Sequence, residues 1–143
     1  MTYKILLPVD GLDHSIHAAH YIIELAKQIP ALEVCIINVQ PTADDWMIRR
    51  TIKPDELAQM EQQWSEDVML PEHDILRAAG IPCQMQMIQG EVAPTVVQMA
   101  QKLSCQQIVM GIDARGSSLT DWLHGSVAMR VLHLSPLPVT FIK

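Results

Sequence analysis

The chain has 143 residues, enough for one domain spanning 1–143 with a hydrophobic core of its own. Its 16 acidic and 10 basic residues give a net charge of −6, which argues against nucleic acid as a partner because phosphate backbones require a basic surface. Three scattered cysteines without a Cys-x-x-Cys pair, and an N-terminal apolar run too short for a signal peptide or a membrane span, favour a cytoplasmic protein that contacts no membrane.

The hydrophobic pattern divides the chain into alternating strands and helices. Continuous apolar runs predict strands that are buried on both faces, and apolar residues three or four positions apart predict helices. The strands are predicted at 3–9, 32–39, 82–89, 107–112 and 139–142, and the helices at 14–28, from 54 until Gly80, at 92–103 and at 126–134. In the second helix, Pro71 is predicted to introduce a kink or a break, because proline cannot donate a backbone hydrogen bond.

This alternation predicts an α/β fold, a single-domain open parallel five-stranded sheet with helices on both faces, Rossmann-like in architecture. The strand at 82–89 alternates between polar and apolar residues, which is typical of a sheet edge. The strands at 3–9 and 107–112 are continuously apolar and are therefore predicted to be central. The strand order 3-2-1-4-5 satisfies both constraints, and it places the switch point between the first and fourth strands.

Two glycine-containing turns follow the strands that flank this switch point. The first strand ends in Pro8, Val9 and Asp10, and the fourth ends in Met110 and Gly111. The predicted order brings these turns together at the place where ligands of open α/β sheets bind. Asp10 is interpreted either as a carboxylate that accepts hydrogen bonds from a sugar hydroxyl or an amine, or as a turn or N-cap acid.

A candidate phosphate cradle lies between the fourth strand and the last helix. Its residues are Ala114, Arg115 and Gly116 in the loop and Gly125, Ser126 and Val127 at the helix start. Because glycine has no Cβ, several backbone N–H groups can face one anion at a helix N-terminus, with the hydroxyl of Ser126 assisting. The alternative is that the glycines only form a turn and that Ser126 is an ordinary N-cap.

Three histidines and one polar connection are further candidates for binding. His14, His17 and His20 recur at intervals of three on the first helix, a spacing that could hold a metal ion. No carboxylate or cysteine completes a ligand set in the sequence, so an exposed polar face is favoured and no metal site is predicted. The connection at 42–53 is interpreted as a solvated loop anchored by Trp46, with a basic lid over a nucleotide as the alternative.

The sequence resembles the universal stress protein family over essentially its whole length. The stretches that carry the resemblance are 4–11 (Lys-Ile-Leu-Leu-Pro-Val-Asp-Gly), 34–39, the turn at 90–93, 108–111, 125–133 and 135–143. In the loop after the fourth strand the family pattern is Gly-x2-Gly-x9-Gly-(Ser/Thr), which Gly111, Gly125 and Ser126 match. The second glycine falls at Ala114, with ten residues between it and Gly125, whereas Gly116 would leave eight.

The resemblance implies a site for an adenine nucleotide, usually bound with a divalent ion such as Mg²⁺. By this resemblance Asp10 and the backbone of Val39 address the adenosine, and Gly111 lies against the ribose. The residues that it implies for the phosphates are Gly125, Ser126 and Val127. Arg115 is a candidate partner of the γ-phosphate, but no residue is identified that orients water, so hydrolysis is expected to be slow or absent.

Two functions are compatible with these features. The main hypothesis is a regulator or sensor in the stress response that binds ATP, ADP or AMP at the switch point between the first and fourth strands. The alternative is a dimeric member of the same family that binds no nucleotide and acts as a protein-interaction module. In both, the last strand, Val139–Ile142, is predicted to lie at the second edge of the sheet, where its unpaired backbone groups favour a homodimer.

Overall fold

The computed structural model describes residues 2–11, 13–41, 51–112 and 127–143. In these ranges strands and helices alternate along the chain, as the sequence predicts. Their bounds are β1 Tyr3–Pro8, α1 His14–Ala26, β2 Leu32–Gln40, α2 Pro54–Ala78, β3 Cys83–Gln89, α3 Val92–Lys102, β4 Gln107–Gly111, α4 Val127–Leu134 and β5 Val139–Ile142. None of these helices is both long and apolar enough to cross a lipid bilayer.

The five strands of the described ranges form one parallel sheet in the order β3-β2-β1-β4-β5. The predicted order and the α/β, Rossmann-like fold class are therefore confirmed. Ile5, Leu6 and Leu7 of the central strand β1 are fully buried. Gln84 and Gln86 of the edge strand β3 are exposed, while the residues between and beside them are partly buried. The apolar pattern thus separates central strands from edge strands.

Helices cover both faces of the sheet. Successive side chains of a strand point to opposite faces, so that Ile5 and Leu7 of β1 belong to one core cluster and Leu6 belongs to the other. Helices α1 and α2 pack on the first of these faces, which we call the α1 face. Helices α3 and α4 pack on the second, which we call the α3 face. Each fully buried leucine or isoleucine contributes about 1.5–3 kcal/mol to this packing.

Helix α2 passes through Pro71 without a break. The predicted break at this proline is therefore wrong, and the alternative of a kink stays a prediction. Met69 and Glu72, on either side of the proline, are almost completely buried. Packing of the helix against the sheet and against α1 therefore outweighs the ~3 kcal/mol that a proline costs in a helix interior.

Candidate functional site

The carboxyl ends of the three inner strands, β1, β2 and β4, lie side by side at one end of the sheet. β1 is hydrogen-bonded to β2 on one side and to β4 on the other, with Leu6 in register with Cys35 and with Ile108. Asp10, which follows β1, therefore lies between the end of β2 at Val39 and the end of β4 at Gly111. The structure brings these predicted residues together, and their roles toward a ligand stay predictions.

Several predicted site residues use their side chains for the core. Val9 and Met110 are both almost fully buried, and Met110 belongs to the cluster on the α3 face. Pro8 and Val39 are partly buried, and Val39 packs against the same cluster. The side chains of Val9 and Met110 are consequently committed to the core, and the backbone N–H and carbonyl of Val9 are hydrogen-bonded to Ile37 and Asn38. Asp10 differs from them, because its side chain is 58% exposed.

Asp10 is placed next to the first turn of α1. Its Oδ2 lies 3.4 Å from Nε2 of His14, and the His14 side chain is only 16% exposed. Asp13, not Asp10, occupies the N-cap position of α1, and the Asp13 side chain makes no capping hydrogen bond. The N-cap interpretation of Asp10 is therefore wrong, and an exposed carboxylate stands at the switch point of the sheet.

Gly111 is required by the packing of β4 on α1. A Cβ added to Gly111 would lie 2.7 Å from the backbone N of Ser15 and closer still to the carbonyl group of His14. Both neighbours are backbone atoms of a helix turn, so they cannot move aside as the end of a flexible side chain could. The packing of β4 on α1 therefore explains why residue 111 is a glycine, whether or not a ligand binds there.

A buried asparagine fixes the end of β1. Asn38 on β2 is only 2% exposed, and its Nδ2 donates a 2.7 Å hydrogen bond to the carbonyl oxygen of Val9. Its Oδ1 accepts hydrogen bonds from Ser65 Oγ on α2, at 2.8 Å, and from Nε2 of Gln40. Asn38 therefore joins β1, β2 and α2 directly beside Asp10. Sequence reasoning missed it, although an asparagine between Ile37 and Val39 in a buried strand was a usable signal.

A buried carboxyl group lies beneath the same end of the sheet. Glu72 on α2 is 2% exposed, and its Oε1 accepts a 2.8 Å hydrogen bond from Ser15 Oγ on α1. Its Oε2 has no hydrogen-bond partner in the described part of the chain. Burial raises the pKa of Glu72, the hydrogen bond from Ser15 opposes this, and the negative charge of Asp10 adds to the rise. In the sequence, Glu72 has the helical spacing of the apolar residues Met69 and Leu76, which predicts a position on the buried face of α2. This signal was missed.

The first turn of α4 lies at the same end of the sheet. Nη2 of Arg130 on α4 is 2.6 Å from Oε1 of Glu91, which precedes α3 just after β3 ends. Val127, the first residue of α4, is 38% exposed. The other predicted cradle residues, Ala114, Arg115, Gly116, Gly125 and Ser126, lie outside the described residues.

The three histidines of α1 do not share one environment. His14 is mostly buried beside Asp10, whereas His17 and His20 are exposed. Within the described residues, no group of three or more His, Cys, Asp or Glu side chains is arranged to hold a metal ion. An exposed polar face is the interpretation that His17 and His20 fit.

Comparison with known proteins decides the family. The sequence profile of the universal stress protein family matches residues 1–143. The chain belongs to the universal stress protein family. Universal stress protein MJ0531 of Methanocaldococcus jannaschii is 26% identical over 147 residues, which cover 98% of this chain and 81% of that protein.

Solved structures of the family share the fold. Protein MJ0577 superposes with a TM-score of 0.79 at 24% identity, covering 100% of this chain and 96% of that one. A universal stress protein from Archaeoglobus fulgidus in complex with dAMP gives a TM-score of 0.70 at 19% identity, covering 99% and 98%. A family protein from Arabidopsis thaliana with AMP bound gives 0.67 at 13% identity, covering 99% and 91%. At these identities the likeness establishes the fold.

Proposed function

We propose that this universal stress protein binds an adenine nucleotide, ATP, ADP or AMP, at the carboxyl ends of β1 and β4 and acts as a regulator or sensor in the stress response. The observation that carries the proposal is the exposed carboxylate of Asp10, placed at the switch point between Val39 and Gly111. Ligands of open α/β sheets bind at this point. The dAMP and AMP complexes of proteins with the same fold support adenine as the base.

In the proposed complex, each residue acts through the group that the fold leaves accessible. The carboxylate of Asp10 accepts hydrogen bonds from the adenosine, and His14 at 3.4 Å restrains that carboxylate. Val39 offers its backbone to the base, because its side chain packs into the core. Gly111 presents a flat backbone surface to the ribose, while its other side rests on α1.

The phosphates are assigned to the start of α4. Backbone N–H groups at a helix N-terminus attract anions, and in the proposal those of Gly125, Ser126 and Val127 hold the phosphates. A Mg²⁺ ion that accompanies them would take phosphate and water oxygens as ligands, which suits a hard cation. Since Asp10 is negatively charged, the phosphates point away from it and toward α4.

Turnover of the nucleotide is expected to be slow or absent. Phosphoryl transfer requires a cation at the γ-phosphate and a group that orients the attacking water. Arg115 is the candidate for the first role, and no residue has been assigned the second. The proposal is therefore a binding function, located in the cytoplasm, where the free thiols of the chain fit a reducing compartment.

Calorimetric titration with ATP, ADP and AMP, with and without Mg²⁺, tests the proposal. We expect binding by the wild type and at least about tenfold weaker binding by Asp10→Asn, since hydrogen bonds to a charged group contribute roughly 1.5–3 kcal/mol. Asp13→Asn is the matched control, because this neighbouring aspartate is exposed at the N-cap of α1, and it should bind normally. No binding at millimolar nucleotide would overturn the proposal.

A second variant tests the phosphate assignment separately. Gly125→Val adds a branched side chain where the nucleotide would approach the backbone, so we expect binding to be lost while the circular dichroism spectrum is unchanged. Unchanged affinity would reject the assignment to α4 without affecting the role of Asp10.

The alternative function is that of a dimeric interaction module without nucleotide. The observation that favours it is the departure of the loop from the family pattern, with Ala114 where the second glycine belongs. A homodimer through β5 is part of both proposals, since β5 is the edge strand opposite β3. Loss of nucleotide binding together with retention of the dimer would favour this alternative.

A further inference from the structure

Met60 and Trp64 form an exposed apolar pair on the outer side of α2. They lie four positions apart, which is about one turn on the same side of a helix, and they are 57% and 50% exposed. The opposite side of α2, with Ser65, Met69 and Leu76, is buried. The pair therefore points away from the core of the described chain, on a helix that is itself held firmly in place.

Two acidic residues bracket this apolar pair. Glu56 lies one turn before Met60, Asp67 lies one turn after Trp64, and the four positions share one side of the helix. Glu56 and Asp67 are both exposed. At a rise of 1.5 Å per residue, these two positions are about 16 Å apart along the helix axis. We call the surface formed by Glu56, Met60, Trp64 and Asp67 the α2 stripe.

Helix α2 carries as much net negative charge as the whole protein. Its seven acidic residues and one arginine give a formal charge of −6, which equals the net charge of the chain. Among the described residues, the only α2 carboxylate within ion-pair distance of a basic side chain is that of Asp74, beside His73. Glu91, which precedes α3, is by contrast paired with Arg130. The charge of α2 is thus left for solvent or for a partner to neutralise.

We propose that the α2 stripe binds a basic amphipathic helix of a partner protein. An exposed tryptophan beside a second apolar side chain is the kind of anchor that dominates protein interfaces. The complementary helix has apolar residues that pack on Met60 and Trp64. It also has a lysine or arginine at each end, about three turns apart, which pair with Glu56 and Asp67.

The charge of α2 disfavours other occupants of the stripe. A second copy of the chain would bring two helices of the same negative charge together, and nucleic acids and anionic lipids are also negatively charged. A cationic protein segment is therefore the occupant that complements this surface. The stripe is much smaller than the roughly 20–30 residues on each side of a standard interface, so we expect a transient complex with a micromolar dissociation constant.

The test is an NMR titration of the isotope-labelled full chain with a synthetic probe, in the absence of nucleotide. The probe is an amidated helical peptide of about 16 residues, with leucines at helical spacing and lysines at both ends. We expect a saturable shift of the indole Nε1–H resonance of Trp64, which is assigned by its absence in Trp64→Phe. The same peptide with glutamate in place of lysine should not bind. Because no nucleotide is present, this outcome is independent of the proposed nucleotide site.

Two matched pairs of variants locate the contact. Trp64→Ala should weaken peptide binding at least about tenfold, whereas Leu70→Ala, which removes an exposed apolar side chain outside the stripe, should bind normally. Asp67→Asn and Glu66→Gln each remove a carboxylate that accepts a 3.0 Å hydrogen bond from a glutamine four positions earlier. Only Asp67 belongs to the stripe. We expect about two- to fivefold weaker binding for Asp67→Asn and nearly unchanged binding for Glu66→Gln.

The wild type alone can overturn the proposal. No binding at millimolar peptide, equal binding of the glutamate peptide, or shifts confined to residues outside α2 would each reject it. Equal losses in Asp67→Asn and Glu66→Gln would also reject it, because they would indicate unspecific attraction to an acidic protein. A wild-type dimer that becomes monomeric in Trp64→Ala would show that a second copy covers the stripe, against the proposal.

Discussion

The backbone of Gly111 rests directly on the carbonyl group of His14, so the end of β4 and the first turn of α1 share one contact surface. The same turn carries His14 toward Asp10 and Ser15 toward Glu72. The position of the Asp10 carboxylate is therefore coupled to the fit between β4 and α1. A glycine at the end of β4 sets how closely α1 approaches the switch point.

Substitution of Gly111 should be costly for stability. In Gly111→Ala the added Cβ meets helix backbone, and we expect the free energy of unfolding to fall by about 3 kcal/mol, the upper range for overpacking. Gly80→Ala is the control, because a Cβ there meets nothing within 4 Å and only the positive φ of +77° is strained. That strain should cost ~1–2 kcal/mol. Urea denaturation measures both, and an equal or smaller loss for Gly111→Ala would contradict the packing argument.

The buried Glu72 should make stability depend on pH in a defined direction. Its pKa is raised in the folded state above the unfolded value of about 4.3. Between these two pKa values the folded protein binds more protons than the unfolded chain, so stability falls as the pH rises through this window. Glu72→Gln removes the buried charge and keeps an acceptor for Ser15, and it should stabilise the protein at pH 7 by about 1 kcal/mol.

The measurement is the difference in urea midpoint between wild type and Glu72→Gln from pH 4 to pH 8. We expect the advantage of the variant to be smallest at pH 4 and to grow as Glu72 ionises. Glu66→Gln on the exposed side of α2 is the control, and it should change stability by no more than about 0.5 kcal/mol. A pH-independent difference for Glu72→Gln would show that ionisation of this carboxyl is not the cause.

The hydrogen bonds of Asn38 should behave as one network. Asn38→Ala leaves the carbonyl of Val9 and the hydroxyl of Ser65 without this partner, and we expect a loss of about 2–3 kcal/mol. Ser65→Ala removes one bond from the same network and should cost ~1 kcal/mol. The double variant should lose less than the sum, since the second substitution removes a group that is already unpaired. Strict additivity in urea unfolding would contradict a shared network.

The sheet could be predicted because its strand order follows from local patterns. β1 and β4 contain the uninterrupted apolar segments 5–7 and 108–110, whereas β3 alternates, and these patterns separate buried central strands from an edge strand. The meeting of Asp10 with Gly111 then follows from topology alone. The break at Pro71 was wrong because a local rule was applied where tertiary packing of Met69 and Glu72 decides.

The polar groups beneath the site could not be paired from the sequence. Ser15 and Glu72 are 57 positions apart, and Asn38 and Ser65 are 27 apart. Their contacts depend on the angle at which α2 crosses the sheet, which no periodic pattern specifies.

The outer edge of β5 offers a test of the proposed homodimer. Among the described strands β5 is hydrogen-bonded to β4 alone, and the N–H groups of Ile108 and Ile112 donate to the carbonyls of Pro138 and Ile142. Hydrogen-bonding directions alternate along a strand, so the N–H of Phe141 points away from β4. An exposed row of such groups can pair with the same strand of a second copy.

Sedimentation equilibrium at tens of micromolar should therefore give a dimeric mass for the wild type. Phe141→Ala and Phe141→Pro both remove the ring, which packs against the α3-face cluster, but only the proline also removes the outward N–H. We expect the alanine variant to stay dimeric and the proline variant to become monomeric. A monomeric wild type would reject the dimer, and a proline variant that remains as dimeric as the alanine variant would place the contact elsewhere than β5.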